Sequence, residues 1–185
     1  EINADTPCFI VESFYANGVA AAYDGRRDPN EGTRAQLRDF LTRIHNRLAA
    51  PIADLRRQTL THRPFVFSCF DDYPEDLATT LFLMRTMQEG VPHGDIRFLS
   101  FYEMEIDEQG IPLADGRYAA ALYRLHPMEI LIDERTPDGE PLGAMFLDLY
   151  KEGAFALMNP PEAILLQNKS FMALVYALAR TEQFL

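Results

Sequence analysis

The stretch PFVFSCFDDYPEDLATTLFLMRTMQEG, residues 64–90, contains the two kinds of element that decide the fold. Residues 64–70 form a short apolar run rich in Phe and Val, which predicts a buried strand. DDYPED, residues 71–76, then begins a helix that continues through LATTLFLMRTMQEG. A buried strand that leads directly into a helix is typical of α/β proteins.

Outward from this stretch, the same alternation recurs along the chain. Helices are predicted over 7–23, over 33–60 with a kink or division at Pro51, over 127–135 and over 161–181, and strands at 1–5, 95–107 and 154–160. A loop is predicted at 25–32, and hairpin-like turns at Gln109-Gly110 and Asp115-Gly116. We therefore expect an α/β fold with a mixed or parallel sheet and helical covers.

Composition limits the classes of function. The chain has 185 residues, 48% of them hydrophobic and 24% charged, which are values of a globular domain. A net charge of -11 disfavours binding to nucleic acid, while it is compatible with a metal ion, a cationic substrate or simple solubility. No apolar run is long enough to cross a bilayer. Cys8 and Cys69 lie far apart and form no zinc motif, which indicates a reducing cytoplasm.

The segment EINADTP, residues 1–7, places oxygen-bearing side chains at every second position. On a strand, Glu1, Asn3 and Asp5 would share one side, and such oxygens can hold Mg²⁺. A helix that begins near Pro7 would place an anion-attracting N-terminus beside them, a pairing that an ATP-dependent enzyme needs. In the alternative, which the spacing alone favours, Asp5 and Thr6 only cap the helix, and Glu1 and Asn3 face water.

The acidic residues at 71–76 stand where a strand meets a helix. Ligands gather at the carboxyl ends of strands in open α/β sheets, so these carboxylates could hold a protonated amine. Alternatively, Asp71 or Asp72 caps the helix, while Glu75 and Asp76 complement its dipole.

Three further charged residues are candidates. Lys169 lies in the apolar stretch LLQNKSFMALVY, where a lone lysine usually points to solvent or snorkels. Arg124 and Glu129 could position a substrate carboxylate and an amine, although a surface ion pair explains them equally well. The histidines, including His126, show no ligand spacing and are interpreted as ordinary surface or core residues.

Five blocks of the sequence together resemble the glutathionylspermidine synthase family, including its shorter bacterial relatives without the amidase domain. EINADTPCFIVESFY resembles the family's Glu-x-Asn-Ala-Asp-Thr-Pro segment. The other blocks, in family order, are RPFVFSCFDDYPEDLATTLFL, DIRFLSFYEMEIDEQGIPLADG, ALYRLHPMEILIDE and NPPEAILLQNKSFMALVYAL. They extend from residue 1 to about residue 184, so the resemblance covers nearly the whole chain.

This resemblance implies an ATP-grasp ligase in which ATP phosphorylates a carboxylate and an amine attacks the acyl phosphate to form an amide. The implied cofactors are Mg²⁺ and ATP, and the implied partners are a small-molecule acid (glutathione in the named enzymes) and an amine (spermidine). The implied site residues are Glu1 and Asn3 for the metal, Lys169 for nucleotide phosphate, Thr6 for the acid, and Asp72, Glu75 and Asp76 near the substrates.

The sequence also departs from the family pattern. The family's Arg-x-Asp strand before Glu1, and its glycine-rich loop and second ATP lysine after the Asn-Lys helix, are not in residues 1–185. Ile130 stands where the family usually has Trp. We therefore expect a single α/β segment of a longer ligase that does not turn over by itself, with exposed surfaces that could drive oligomerisation. The alternative is a diverged, non-catalytic α/β module that binds a ligand or a protein.

Overall fold

The computed structural model describes residues 5–7, 9–55, 64–136 and 138–181. At the centre of these residues lies a four-stranded sheet in the order β2-β1-β3-β4, in which all neighbouring strands are parallel. The strands are β1 (Phe65–Cys69), β2 (Ile96–Phe98), β3 (Ala121–Leu125) and β4 (Ala156–Leu157). The predicted α/β class with a parallel sheet is confirmed.

Helices cover both faces of the sheet. They are α1 (Asn17–Tyr23), which follows a π-helical segment (Glu12–Ala16), α2 (Thr33–Leu55), α3 (Pro74–Gly90), α4 (Met128–Leu131), α5 (Leu142–Lys151), α6 (Ile164–Gln167) and α7 (Lys169–Arg180). Within the described residues, no helix combines the length and the apolar character that a bilayer crossing requires.

Both inner strands are fully buried, which explains the unbroken apolar run at 64–70. On one face, Phe65 and Phe67 of β1 pack with Leu41 of α2 and Met87 of α3. On the other face, Val66 packs into a cluster that contains side chains of α5. The alternation of side chains along β1 therefore assigns α2 and α3 to one face and α5 to the other.

The order of the strands creates a switch point in the sheet. From β1 the chain passes through α3 to β2 on one side, then crosses to β3 on the other side of β1 and continues to β4. The carboxyl ends of β1 and β3 thus lie next to each other where the direction of winding reverses, and open α/β sheets bind their ligands at such a point.

A four-charge cluster attaches the turn at 115–116 to β2. Arg97 of β2 contacts Asp95 at 2.6 Å and Asp115 at 2.8 Å. Arg117 contacts the same two carboxylates, at 2.7 and 2.6 Å. The hydrogen bond that Arg97 donates to the Asp95 carboxylate is the main cause of a raised pKa for Arg97. Asp95 directly precedes β2, so this cluster lies at the amino end of that strand, away from the carboxyl ends of the strands.

Two of the predicted boundaries that are wrong have identifiable reasons. Only Ile96–Phe98 of the predicted strand 95–107 is a strand, because Ser100 begins a short 3₁₀ helix by accepting a hydrogen bond from the Tyr102 N–H. The predicted helix 161–181 is divided at Asn168, which has extended backbone (ψ 125°) and accepts a hydrogen bond from the Ser170 N–H at 2.8 Å. Asn168 thereby caps the new helix α7.

Other differences concern elements that the sequence did not indicate. Neither β3 nor α5 was predicted, although both form the core. The first helix begins at Ile10 instead of Pro7, because Phe9 has a positive φ of 60°. Helix α2 continues through Pro51 without division as far as Leu55, and the predicted end of this helix at residue 60 lies outside the described residues. The predicted strand at 1–5 lies almost entirely outside the described residues.

Candidate functional site

Residues that follow β2 hold the first two carboxylates of the acidic turn, by which we mean residues 71–76. The Ser100 hydroxyl donates to Asp71 Oδ1 at 2.7 Å, and the Tyr102 hydroxyl donates to Asp72 Oδ2 at 3.0 Å. The prediction that Asp71 or Asp72 caps α3 is wrong, because the N-cap is Tyr73 and no side chain caps the helix. The two hydroxyl donors bind these carboxylates instead.

The other two carboxylates of the acidic turn lie where the sequence predicts them. Glu75 and Asp76 are in the first turn of α3, where a negative charge complements the helix dipole. The pKa of Asp76 is raised above its usual range by partial burial and by the charge of Glu75. The nearby His126 opposes this increase. Asp76 therefore takes up a proton more readily than an ordinary exposed aspartate does.

An aromatic cluster, formed by Phe70, Phe101, Tyr102 and His126, lies at the carboxyl ends of β1 and β3. The Phe70 ring is 4.9 Å from the rings of both Tyr102 and His126, measured between centroids, and 5.3 Å from that of Phe101. Phe70 directly precedes the acidic turn, so these ring contacts connect the start of the turn to residues that follow β2 and β3.

His126 is a site residue that the sequence analysis missed. It directly follows β3, is only 5% exposed, and its Nε2 lies 2.7 Å from Glu134 Oε1. Because β3 was not recognised as a strand, nothing in the sequence indicated that His126 stands at the carboxyl edge of the sheet. Its pairing with Glu134, eight residues away, could have been suspected only once that edge was known.

Arg124 occupies the centre of the sheet and not its surface. Its side chain is fully buried in β3, and Nη2 lies 2.5 Å from Asp5 Oδ1. Nη1 donates a hydrogen bond to the carbonyl oxygen of His126. The interpretation of Arg124 and Glu129 as a surface ion pair is wrong, because Arg124 is buried and pairs with Asp5. A contact between Arg124 and a substrate carboxylate remains a prediction.

Asp5 is held by four different groups. Besides the Arg124 contact, its Oδ2 accepts a hydrogen bond from the Met128 N–H at 2.8 Å. Its carbonyl oxygen accepts from Asn159 Nδ2 at 2.6 Å, and its N–H donates to Gln167 Oε1 at 3.4 Å. Asp5 was predicted to share in a metal site or to cap the helix that follows it, whereas it binds the first N–H of α4.

The remaining predicted residues are only partly covered by the structure. Glu1 and Asn3 lie outside the described residues, and their magnesium site stays a prediction based on oxygen ligands that suit this ion. Among residues 5–7, 9–55, 64–136 and 138–181, no group of three or more His, Cys, Asp or Glu side chains could hold a metal ion. Thr6 is half-buried beside Asp5, and Lys169 is exposed at the start of α7.

The contact between Asp5 and Gln167 relates two predicted parts of the site. Gln167 is two residues before Lys169, and Asp5 is two residues after Asn3. The start of α7 therefore lies beside the segment that follows the predicted metal ligands.

The prediction of self-association would apply to the exposed apolar side chains of this region. They are Ile164, Leu165, Leu166, Phe171, Leu174 and Tyr176.

Comparison with known proteins agrees with the sequence and the fold. No curated protein matches the chain. A family model described as glutathionylspermidine synthase pre-ATP-grasp matches residues 1–185, which is the whole chain. The parallel sheet and its helical covers fit this family. The chain therefore belongs to the glutathionylspermidine synthase family, of which it represents the pre-ATP-grasp part.

Proposed function

We propose that the chain is the pre-ATP-grasp part of an ATP-dependent carbon–nitrogen ligase. The reaction joins a carboxylate of a glutathione-like peptide to a polyamine-like amine through an acyl phosphate. The observation that carries this proposal is the position of the acidic turn at the carboxyl edge of a parallel sheet, beside the switch point between β1 and β3. Membership of the family supports the class of reaction.

The acidic turn is suited to a cationic amine. Asp72 and Glu75 are exposed and Asp76 is half-buried, so three carboxylates are available to an ammonium group within one short segment. Charge-assisted hydrogen bonds to carboxylates are stronger than neutral ones and favour a protonated amine. In this proposal Asp71, which Ser100 binds, fixes the turn, and the other three residues contact the amine.

The acid and the nucleotide are assigned to the other side of the site. Thr6 contacts the acid substrate, Glu1 and Asn3 hold Mg²⁺, and Lys169 contacts ATP phosphate. When bound, Mg²⁺ and ATP supply the phosphoryl group and the positive charge that stabilises its transfer. The contact of Asp5 with Gln167 supports this arrangement, because it brings the two segments together. The two widely separated cysteines support a cytoplasmic location.

The test is ADP release by the full-length protein that contains this chain. With Mg-ATP, a thiol tripeptide and a polyamine, we expect ADP release that requires both the acid and the amine. Asp72→Asn combined with Glu75→Gln should raise the KM for the amine at least tenfold and leave the KM for ATP unchanged. Glu108→Gln is the matched control, since Glu108 is an exposed carboxylate in the separate turn between Asp107 and Gly110.

A different result would favour a non-catalytic role. If no acid–amine pair stimulates ADP release, the ligase proposal fails for this protein. Calorimetric binding of the acid or the amine without turnover would then identify an α/β ligand-binding module. An unchanged KM for the amine with the paired substitution would show that the acidic turn does not bind the amine.

A further inference from the structure

We propose that Arg124 and Asn159 anchor Asp5 to the carboxyl edge of the sheet, and that Arg124 is a positioning residue instead of a direct contact for a substrate carboxylate. We call these three residues the Asp5 anchor. Its role in the reaction rests on the proposed function, whereas its role in holding the segment around Asp5 does not.

The first argument is that every polar atom of Asp5 is engaged. The two carboxylate oxygens contact Arg124 and the Met128 N–H, and the backbone groups contact Asn159 and Gln167. A residue that only capped a neighbouring helix would use one carboxylate oxygen and leave its own backbone groups to other partners. Asp5 is instead bound through both its side chain and its backbone, which fixes the position of the chain at this residue.

The second argument concerns the charge of Arg124. Its side chain is fully buried, and a buried charge is tolerated only when it is paired and hydrogen-bonded. Among the described residues, Asp5 is the only carboxylate with which Arg124 forms an ion pair. To bind a substrate carboxylate, Arg124 would have to leave Asp5 or neutralise two anions with one cation inside the sheet.

The third argument is that rigid elements provide the anchor. Arg124 lies in the inner strand β3, and Asn159 follows β4 and donates from Nδ2 to the Arg124 carbonyl oxygen at 2.7 Å. Asn159 thus binds both partners of the ion pair. Two residues of chain reach at most about 7 Å, so the position of Asp5 limits where the predicted ligand Asn3 can lie.

The first experiment measures the reaction of Cys8 with a thiol reagent, since Cys8 is three residues after Asp5. Cys69 is the only other cysteine; it is buried, and burial raises the pKa of its thiol, so it reacts slowly. Cys8→Ser identifies the signal. We expect Arg124→Met and Asp5→Asn each to change the Cys8 rate at least fivefold. Arg97→Met, in the four-charge cluster, controls for a general loss of stability.

The outcomes of this experiment are distinct. A Cys8 rate in Arg124→Met within twofold of the unmodified protein would overturn the anchor. An equal change in Arg97→Met would also overturn it, because the effect would then follow stability alone. The double variant Asp5→Leu with Arg124→Met removes both charges, so we expect its melting temperature to recover while its Cys8 rate stays altered.

The second experiment separates positioning from substrate contact in the full-length protein. If Arg124 positions the segment, Asp5→Asn and Arg124→Met should each lower kcat at least tenfold, without additivity, and change the KM for the acid less than threefold. If Arg124→Met raises the KM for the acid and Asp5→Asn does not, Arg124 contacts the substrate and the positioning role fails. Absence of any turnover in the unmodified protein would contradict the proposed function, while the Cys8 rates would still decide the anchor.

Discussion

Ser100 and Asp71 join the carboxyl ends of two neighbouring strands through a single hydrogen bond of 2.7 Å. Ser100 is 4% exposed and follows β2, and Asp71 begins the acidic turn after β1. The same hydroxyl oxygen also accepts a hydrogen bond from the Tyr102 N–H at 3.3 Å. One serine therefore fixes both the acidic turn and the 3₁₀ helix that carries part of the aromatic cluster.

Replacement of this serine should weaken the site and the fold together. Ser100→Ala leaves Asp71 without its hydroxyl donor, and we expect a loss of about 1 kcal/mol in the free energy of unfolding, as for a typical internal hydrogen bond. Urea denaturation measures the loss. Ser170→Ala is the control, because Ser170 contributes its backbone N–H to the cap of α7 and not its hydroxyl. Equal stabilities of the two variants would contradict the prediction.

The hydrogen bond between Tyr102 and Asp72 should be visible in the titration of the phenol. It is the main cause of a raised pKa for Tyr102. We therefore expect Asp72→Asn to lower the pKa of Tyr102 towards its ordinary value, as followed by tyrosinate absorbance with Tyr102→Phe to assign the signal. Tyr150, whose pKa is raised chiefly by burial, should not respond. A Tyr102 titration unaffected by Asp72→Asn would contradict this bond.

Asp76 should make stability depend on pH in a predictable direction. Its folded-state pKa is raised above the ordinary value of 3.8, mainly by burial. The folded protein thus retains a proton that the unfolded chain has lost, and stability falls as the pH rises through that window. We expect Asp76→Asn to stabilise the protein more at neutral pH than below pH 3.8, as measured by melting temperature.

A variant of Glu75 checks the cause of the raised pKa of Asp76. The charge of Glu75 contributes to the raised pKa of Asp76, so Glu75→Gln should lower it. The pH dependence contributed by Asp76 should then move to lower pH. An unchanged difference between Asp76→Asn and the unmodified protein across the pH range would show that Asp76 is not perturbed.

Removing one partner of the Asp5–Arg124 ion pair should destabilise the protein strongly, whereas replacing both partners together should not. Arg124→Met leaves an uncompensated buried carboxylate, and we expect a loss of about 3–5 kcal/mol in the free energy of unfolding. Removal of both charges, in Asp5→Leu with Arg124→Met, should restore most of that loss because neither charge is left unpaired. Chemical denaturation measures both, and additive losses would contradict a direct interaction.

Gly143 should not tolerate a side chain. A Cβ atom at this position would lie 2.2 Å from the Leu131 carbonyl oxygen and 2.5 Å from Ile132 Cα, which are backbone atoms that cannot rotate away. We expect Gly143→Ala to cost about 1–3 kcal/mol in the free energy of unfolding, although alanine favours helices. Ala144→Ser, at an exposed position of α5, is the control. Thermal unfolding of the two variants provides the comparison.

The fold could be predicted where local pattern and burial agree. Strand β1 and helix α3 follow directly from the apolar run and the proline at the start of the helix. Strand β3 was missed because the stretch that contains it was interpreted by its hairpin-like turns. Its fourth residue, Arg124, also departs from the apolar pattern of a buried strand. Only the contact with Asp5, 119 residues away, makes that position tolerable, and sequence spacing contains no sign of it.

The site was predictable to a similar extent. The acidic turn was found because its four carboxylates follow a recognisable strand, and Glu75 and Asp76 lie in the helix turn as expected. Its hydroxyl donors and His126 were missed because they come from the ends of other strands, 29 to 55 residues later in the chain. Such residues become neighbours only through the order β2-β1-β3, which periodicity does not encode.

The long separation between Asp5 and its partners also determines when this part of the molecule can form during synthesis. Asp5 leaves the ribosome 119 residues before Arg124 and 154 residues before Asn159. Contacts between residues so far apart in the sequence form late, because the entropic cost of closing a large loop must be overcome first. The segment that contains Asp5 is synthesised early, but it can pack against the sheet only after the strands that precede its partners have formed. Assembly of the site is therefore coupled to completion of the sheet.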